Sequence, residues 1–268
     1  DNEMIKEIKS SHSKRVLTIL LVFAMLFSMM PSMAFAGDTG GTTPSGDGTQ
    51  SNPYLLTNEA DLIWFRDTVN KSNNKSTSYL CAQLTSNIIL TKSWTPIGNY
   101  TDYSNYIYYG GTFDGQGHTI SGISIDNSLT YQALFGYVKG GTIKNLTTEG
   151  SITTTTTSSS YAAGIVAYGN PVILENCTNN VNVTATAKGY VGGVISSAGS
   201  GSEIKNCKNT GIISGKGDYV AGIVASASGY SAPGVAISNC FNSGKIINIG
   251  KPSGYAYCTG GIAGTISG

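Results

Sequence analysis

The feature that most constrains the fold of this 268-residue sequence is a four-residue motif that recurs about every thirty residues. The motif is glycine, two apolar residues and a small residue, as in residues 164–167 (GIVA). Further copies begin at Gly193, Gly222 and Gly261, and a degenerate copy begins at Ala133, so that successive spacings are 31, 29, 29 and 39 residues. A period of this length is typical of proteins that stack one structural unit per repeat.

A second motif, apolar-x-Asn-Cys, keeps nearly the same period. Its members are Asn176-Cys177, Asn206-Cys207 and Asn239-Cys240, with leucine in place of cysteine at Asn145-Leu146. Because asparagine tolerates the left-handed backbone conformation, we predict that each asparagine bends the chain at a corner and that successive amides hydrogen-bond between stacked repeats. The cysteine or leucine that follows is predicted to face inward, as a column of buried apolar residues.

Short β-branched runs between these motifs predict about three strands per repeat, with no segment long enough for a helix. Helical solenoids are thereby excluded, and a period near thirty residues is short for a propeller blade of four strands. We predict an all-β fold, a right-handed parallel β-helix, over residues 78–268. The last repeat is incomplete, so we expect a truncated or uncapped C-terminal end, whose unpaired backbone would favour end-to-end association.

Residues 1–36 indicate a cleaved signal peptide, with a basic stretch, an apolar run over residues 16–30 and a small-x-small site at residues 34–36. An uncleaved anchor is the alternative, but the 15-residue run is shorter than the ~20 residues that a membrane span needs. We therefore expect a secreted or cell-surface protein with no membrane span after cleavage. Residues 37–53, rich in glycine, serine and threonine, are predicted to be a flexible linker.

Residues 54–77 contain the one strong helix candidate. Asn58 is a predicted N-cap, and Leu62, Phe65 and Val69 fall near one face of the helix. We expect this short helix to cap the first turn of the β-helix, where it would cover open strand edges.

The composition excludes several partners. Charged residues make up 12% of the chain, and Arg15 and Arg66 are its two arginines, which argues against nucleic-acid binding because phosphates require a basic face. Five cysteines at these spacings do not match a zinc module, and we expect neither a metal nor another cofactor. We expect free buried thiols, although stacked neighbours such as Cys177 and Cys207 would also lie within reach of a disulfide.

Catalytic candidates are few. His118, the one histidine after the signal segment, lies in a predicted turn. No serine or cysteine is indicated as a nucleophile for it to activate, so we expect a structural role. Glu175 and Glu203 are predicted to lie near one column, and a polysaccharide hydrolase would need two such carboxylates. However, Lys144 and Lys205 share the column of Glu175, which favours a solvated charge ladder. We therefore expect no catalytic residues.

Residues 94–98 (WTPIG) and 111–120 (GTFDGQGHTI), together with the two repeated motifs, resemble GLUG-motif repeat surface proteins of Gram-positive bacteria. The resemblance covers about residues 45–268, although three of the five tetrads end in alanine or serine rather than glycine. It implies a β-helical, adhesin-like architecture at the cell surface. Such modules also occur in the non-catalytic parts of IgA-type metallopeptidases, and the resemblance implies no catalytic residues in this chain.

One tyrosine-rich segment is a candidate ligand-contact patch, formed by Tyr100, Tyr103, Tyr106, Tyr108 and Tyr109. These rings would either contact a ligand or fold onto the flank of the β-helix. The sequence therefore predicts a non-enzymatic, adhesin-like or spacer module whose partner is a host or matrix protein or a glycan. The alternatives are the N-terminal non-catalytic module of a larger secreted peptidase or glycan-active enzyme, and a polysaccharide lyase or hydrolase.

Overall fold

The computed structural model describes residues 43–71, 77–102, 105–156, 160–216, 218–229, 231–250 and 258–267. The predicted signal peptide, part of the predicted linker and Tyr103 lie outside these residues. The described strands stack in about six turns of a parallel β-helix and are accompanied by one α-helix. The predicted all-β solenoid is therefore confirmed, and each of its turns is called a rung below.

Strands of the described rungs run through four parallel sheets rather than the predicted three. The difference arises at the glycine tetrad. Gly164 lies in a bend between the strands Ser160–Ala162 and Val166–Gly169, which belong to two different sheets. The short strand before each tetrad has no apolar period long enough to mark it in the sequence.

The first two sheets, sheet 1 and sheet 2, are joined at the corner asparagines. The described strands of sheet 1 are Tyr54–Leu56, Ala82–Leu84, Thr112–Asp114, Gly141–Lys144, Val172–Glu175, Glu203–Lys205 and Ala236–Ser238. Those of sheet 2 are Ile88–Ile89, Thr119–Asn127, Thr147–Thr154, Thr178–Ala185, Lys208–Asn209, Ile213–Gly215, Phe241–Asn242 and Ile246–Asn248.

Sheet 3 and sheet 4 complete each rung and are joined to each other at the glycine bend. The described strands of sheet 3 are Tyr131–Gln132, Ser160–Ala162, Gly189–Gly192, Tyr219–Ala221 and Cys258–Gly260. Those of sheet 4 are Phe135–Val138, Val166–Gly169, Ile195–Gly199, Val224–Ser228 and Ala263–Ser267. A separate antiparallel pair, Asn99–Asp102 and Asn105–Ile107, forms a hairpin outside this stack.

The register of the strands aligns equivalent residues of successive repeats in columns along the axis. Ile143 pairs with Leu174 and Leu174 with Ile204, and all three side chains are fully buried. Buried aliphatic residues one above another fill the interior of the solenoid, because no single rung can cover its own apolar side.

The α-helix comprises Glu59–Asn70, in the predicted region. The side chain of Asn58 accepts a hydrogen bond from the backbone N–H of Asp61, at 3.1 Å, and so caps the first turn of the helix. The buried side of the helix carries Leu62, Phe65 and Val69. The Phe65 ring lies 6.1 Å from that of Phe113 in sheet 1, so the helix packs onto the core of the solenoid. Within the described ranges no helix is sufficiently long and apolar to span a bilayer.

Candidate functional site

The corner asparagines lie between sheet 1 and sheet 2. Asn145, Asn176, Asn206 and Asn239 have φ angles of 52°, 53°, 54° and 51°, in the left-handed region that the motif predicts. The residues that precede them pair in register, so the corners follow one line along the axis. Their side chains connect at the first corners, where the Asn176 amide donates to Asn145 Oδ1 at 3.2 Å and the Asn145 amide donates to Asp114 Oδ1 at 3.0 Å.

A second asparagine, three residues after the corner, forms a buried ladder that the sequence analysis missed. Asn179 Nδ2 donates to Asn209 Oδ1 and Asn209 Nδ2 donates to Asn242 Oδ1, each at 2.7 Å. The tetrad glycines make room for these amides, since a Cβ at Gly164 or Gly193 would overlap the side chain of Asn179 or Asn209. The two sequence motifs thus meet in space, and the recurrent spacing of the second asparagine was the available signal.

The cysteine column lines the interior beside the corners. Cys177 and Cys207 are buried, Cys240 is half-buried, and Leu146 occupies the equivalent place in the preceding rung. All five cysteines of the chain are free thiols, and each thiol of the column donates to a backbone carbonyl two residues earlier, at 3.3 Å. The contact with the Cys177 thiol raises the pKa of the Cys207 thiol to about 12, with burial as a further cause.

Charged side chains alternate in one outward-facing column of sheet 1. Asp114, Lys144, Glu175 and Lys205 follow one another in register. Lys144 Nζ lies 3.2 Å from Asp114 Oδ2, and Lys205 Nζ lies 3.3 Å from Glu175 Oε1. Glu203 precedes Lys205 by two residues and pairs with Ile173, so it lies in the column next to that of Glu175 on the same face. The acids of this column are therefore used in ion pairs.

His118 lies in the connection between sheet 1 and sheet 2. Its backbone N–H donates to the Gly115 carbonyl at 2.7 Å, and its side chain is half-buried. Across the part of the chain that the structure describes, no cluster of three histidine, cysteine, aspartate or glutamate side chains is arranged to hold a metal ion.

Tyrosine side chains form an aromatic surface on sheets 3 and 4, which is called the tyrosine face below. It consists of the half-buried Tyr131, Tyr161, Tyr168, Tyr190 and Tyr219 and the buried Tyr137. In sheet 3 the rings stack from rung to rung, with centroids 4.8 Å apart for Tyr131 and Tyr161. The distance is again 4.8 Å for Tyr161 and Tyr190 and is 5.2 Å for Tyr190 and Tyr219. The strand spacing of the solenoid therefore sets the spacing of the rings.

Sheet 4 carries a shorter column of the same face. Tyr137 and Tyr168 pair in register, and their rings stack at 5.3 Å. The two columns also touch each other, because the Tyr168 ring lies 6.0 Å from Tyr131 and 5.9 Å from Tyr161. These contacts hold the rings in fixed positions, and such rigid rings lose little conformational entropy when a ligand binds.

The hairpin places two of the sequence-predicted tyrosines on the N-terminal part of this face. Tyr100 lies 5.6 Å from Tyr131 and 5.5 Å from Tyr137, in edge-to-face contacts. Tyr106 stacks on Tyr100 at 5.9 Å and contacts Tyr137 at 6.0 Å. The hairpin thus extends the tyrosine face beyond the two columns.

The other tyrosines of the predicted patch differ in their placement. Tyr108 is 7% exposed, and its hydroxyl lies 3.0 Å from that of Tyr79, a contact that raises the pKa of Tyr108 to about 12. The prediction for Tyr109 is wrong: its ring is fully buried, 5.3 Å from Phe135, because strand alternation turns it into the core. Tyr103 lies outside the described residues.

Burial raises the pKa of three phenols of the tyrosine face. It raises the pKa of Tyr131 and Tyr137 far above the ordinary value, with the neighbouring tyrosines as a further cause. For Tyr161 burial raises the pKa to about 12, and Tyr190 and Tyr168 add to the shift.

A groove of about 410 Å³ opens where the column of sheet 4 changes from tyrosine to serine. Tyr168 pairs in register with Ser197, and Ser197 pairs with Ser226. Tyr161 and Tyr190 of sheet 3 also line the groove. Its volume falls within the ~300–1,000 Å³ range of small-ligand sites.

Sequence reasoning missed most of this face, although a signal was present. Tyr131, Tyr161, Tyr190 and Tyr219 recur at spacings of 30, 29 and 29 residues. A single tyrosine in each repeat indicates a surface only once the repeats are stacked and the rings align. The segment of residues 99–109, by contrast, is conspicuous from its tyrosine content alone.

Fold and face together define a β-solenoid repeat protein with an aromatic outer surface. No protein-family model matches the chain, so the resemblance to GLUG-motif proteins stays a prediction. The chain is 34% identical to halomucin of Haloquadratum walsbyi over an alignment 119 residues long, which covers 41% of this chain and 1% of that protein's length.

Among solved structures, the chain is similar to a crystallised Bacteroides ovatus protein provisionally named an immunoglobulin A1 protease. The match covers 85% of this chain and 88% of that one, with 19% identity and a TM-score of 0.46.

Proposed function

We propose that the protein is a secreted or cell-surface, non-enzymatic and adhesin-like module that binds its partner through the tyrosine face. The observation that carries this proposal is the array of stacked rings on one side of the solenoid, at centroid spacings of 4.8 to 5.2 Å. Tyrosine supplies apolar contact area with a polar tip, and few rotatable bonds have to be ordered on binding.

Two observations support a location outside the cytoplasm. The sequence begins with a pattern typical of signal peptides over residues 1–36. The similarity to halomucin over 119 residues, although it spans a small part of that protein, favours a surface protein. In addition, a rigid solenoid presents an extended regular side, which suits a displayed binding module.

The non-enzymatic part of the proposal is supported by the ion pairs that two carboxylates of sheet 1 form with lysines. Glu175 and Asp114, two acids of the charge ladder, are paired with lysines at 3.3 and 3.2 Å. A hydrolytic pair would require one carboxyl held protonated and a second held ionised at a matching distance.

Arrays of glycans and matrix proteins, probed with the purified full chain, test the binding role. We expect binding that is lost in the double variant Tyr161→Ser, Tyr190→Ser. The matched control Ile89→Ser, which removes a side chain 68% exposed on sheet 2, should bind as the wild type does. Circular dichroism checks that each variant is folded.

Two results would overturn the proposal. Absence of binding by the wild-type chain would leave only a spacer role. Release of products from polysaccharide or peptide substrates, lost on substitution of Glu175, would show an enzyme.

A further inference from the structure

The tyrosine columns of the two sheets end at different rungs. In sheet 3 tyrosine continues through Tyr190 to Tyr219, whereas in sheet 4 the residue after Tyr168 is Ser197. The serine occupies much less volume than a tyrosine, and the groove opens at this step. The groove is therefore a consequence of one column ending two rungs before the other.

This step leaves one face of the Tyr168 ring directed into the groove. Its other face is covered by Tyr137, which stacks on it at 5.3 Å. The further ring contacts of Tyr168 with described residues come from Tyr100, Tyr131 and Tyr161, which all lie in its own rung or before it. An aromatic ring face at the end of a stack is a platform for a planar or flat apolar surface.

Polar groups without charge surround this platform. Ser197 and Asn170 line the groove, and neither side chain makes a hydrogen bond to another described residue. Ser226 and Ser228 lie farther along, with their hydroxyl oxygens 3.1 Å apart. A serine hydroxyl both donates and accepts, and an asparagine side chain offers two donors and one acceptor oxygen. The groove therefore offers several hydrogen-bonding groups beside one aromatic face.

The absence of charge restricts the ligand class. Of the described residues that line the groove, none is acidic or basic. Phosphates, sulfates and uronates are bound through charge-assisted hydrogen bonds from arginine or lysine, which this groove does not supply. An extended peptide would add to a free strand edge, but Val166–Gly169 and Ile195–Gly199 are paired on both sides.

We infer that this groove binds a neutral oligosaccharide, with one sugar ring packed on the open face of Tyr168 and its hydroxyl groups bonded to Ser197 and Asn170. A pyranose ring matches the site because it has a C–H face of low polarity and a rim of hydroxyl groups. The inference rests on the proposed binding function and specifies its ligand class and its position on the tyrosine face.

Titration calorimetry with a panel of neutral tri- to hexasaccharides tests the inference. We expect Tyr168→Ala to weaken binding by about tenfold or more, because the stacking surface is lost, and Tyr168→Phe to retain it. Ser197→Tyr extends the tyrosine column by one rung, fills the groove and should abolish binding. The matched control Ser214→Tyr makes the same change on sheet 2, outside the groove, and should bind like the wild type.

The outcomes separate this inference from the broader proposal. Binding of matrix proteins or charged glycans without any binding of neutral saccharides would overturn the inference and leave the binding function in place. Saccharide binding that persists in both Tyr168→Ala and Ser197→Tyr would place the site elsewhere and would also overturn it. A wild-type chain that binds nothing on the arrays would contradict both.

Discussion

The buried asparagine ladder makes a quantitative prediction about stability. The Asn209 side chain accepts a hydrogen bond from Asn179 at 2.7 Å and donates to Asn242 at 2.7 Å and to the Gly211 carbonyl at 3.0 Å. In Asn209→Ala, a side-chain N–H of Asn179 and the backbone carbonyl of Gly211 each lose the hydrogen bond to Asn209 and stay buried. A buried polar group left unpaired costs about 1–3 kcal/mol, so we expect a loss of about 3–5 kcal/mol in the free energy of unfolding.

The corner asparagine of the same repeat provides the control. Asn206 is exposed and has a φ of 54°, a conformation that glycine adopts without steric cost. Asn206→Gly should therefore change the free energy of unfolding by less than about 1 kcal/mol. The inner and corner positions lie three residues apart, so the comparison isolates the buried ladder from the corner.

Equilibrium unfolding in urea, followed by far-ultraviolet circular dichroism, measures both variants. We expect the midpoint of Asn209→Ala to move to clearly lower urea while the slope is unchanged, and the midpoint of Asn206→Gly to stay near that of the wild type. If Asn209→Ala cost no more than Asn206→Gly, the buried ladder would contribute nothing and the argument would be wrong.

Further predictions concern packing, ionisation, thiol chemistry and ion pairing. Gly193→Ala places a Cβ against a backbone carbonyl of the next rung, and we expect loss of folded protein in solubility and circular dichroism measurements. Burial raises the pKa of Tyr161 to about 12, so the folded state favours the neutral phenol more than the unfolded state does. The free energy of unfolding should therefore fall as the pH rises from about 10 through 12, which urea titrations at stepped pH would measure. The Cys207 thiol, with its pKa raised to about 12, should be alkylated at least about tenfold more slowly in the native protein than in the urea-unfolded protein. Mass spectrometry measures the extent of alkylation, and a native disulfide between Cys207 and Cys240 would contradict the prediction. Lys205→Ala removes an ion pair whose two side chains are about one third exposed and should lower the free energy of unfolding by less than about 1 kcal/mol, in the same urea titrations.

The parts of the fold that could be predicted depend on local chemistry repeated at a fixed period. The corner asparagines could be predicted because few residues other than glycine tolerate a positive φ, as Asn176 and Asn206 do. The helix at Glu59–Asn70 follows from its N-cap at Asn58 and from its apolar spacing.

The parts that were missed depend on which residues meet after stacking. The motif does not reveal that Asn179 lies against Gly164, because Gly164 lies in the bend between sheets 3 and 4, whereas Asn179 lies in a strand of sheet 2. The tyrosine face likewise requires two columns to converge, whereas the predicted patch was confined to residues 99–109. Tyr109 turns into the core because alternation along the chain decides its direction, which composition does not show.

Saturation-transfer difference NMR with a neutral oligosaccharide tests the central functional claim most directly. Irradiation of the aromatic protons should transfer magnetisation to the C–H protons of the sugar in the wild-type chain and in Tyr168→Phe, and the transfer should be lost in Tyr168→Ala. Equal transfer in Tyr168→Ala and in the wild type would contradict the assignment of this groove as the binding site.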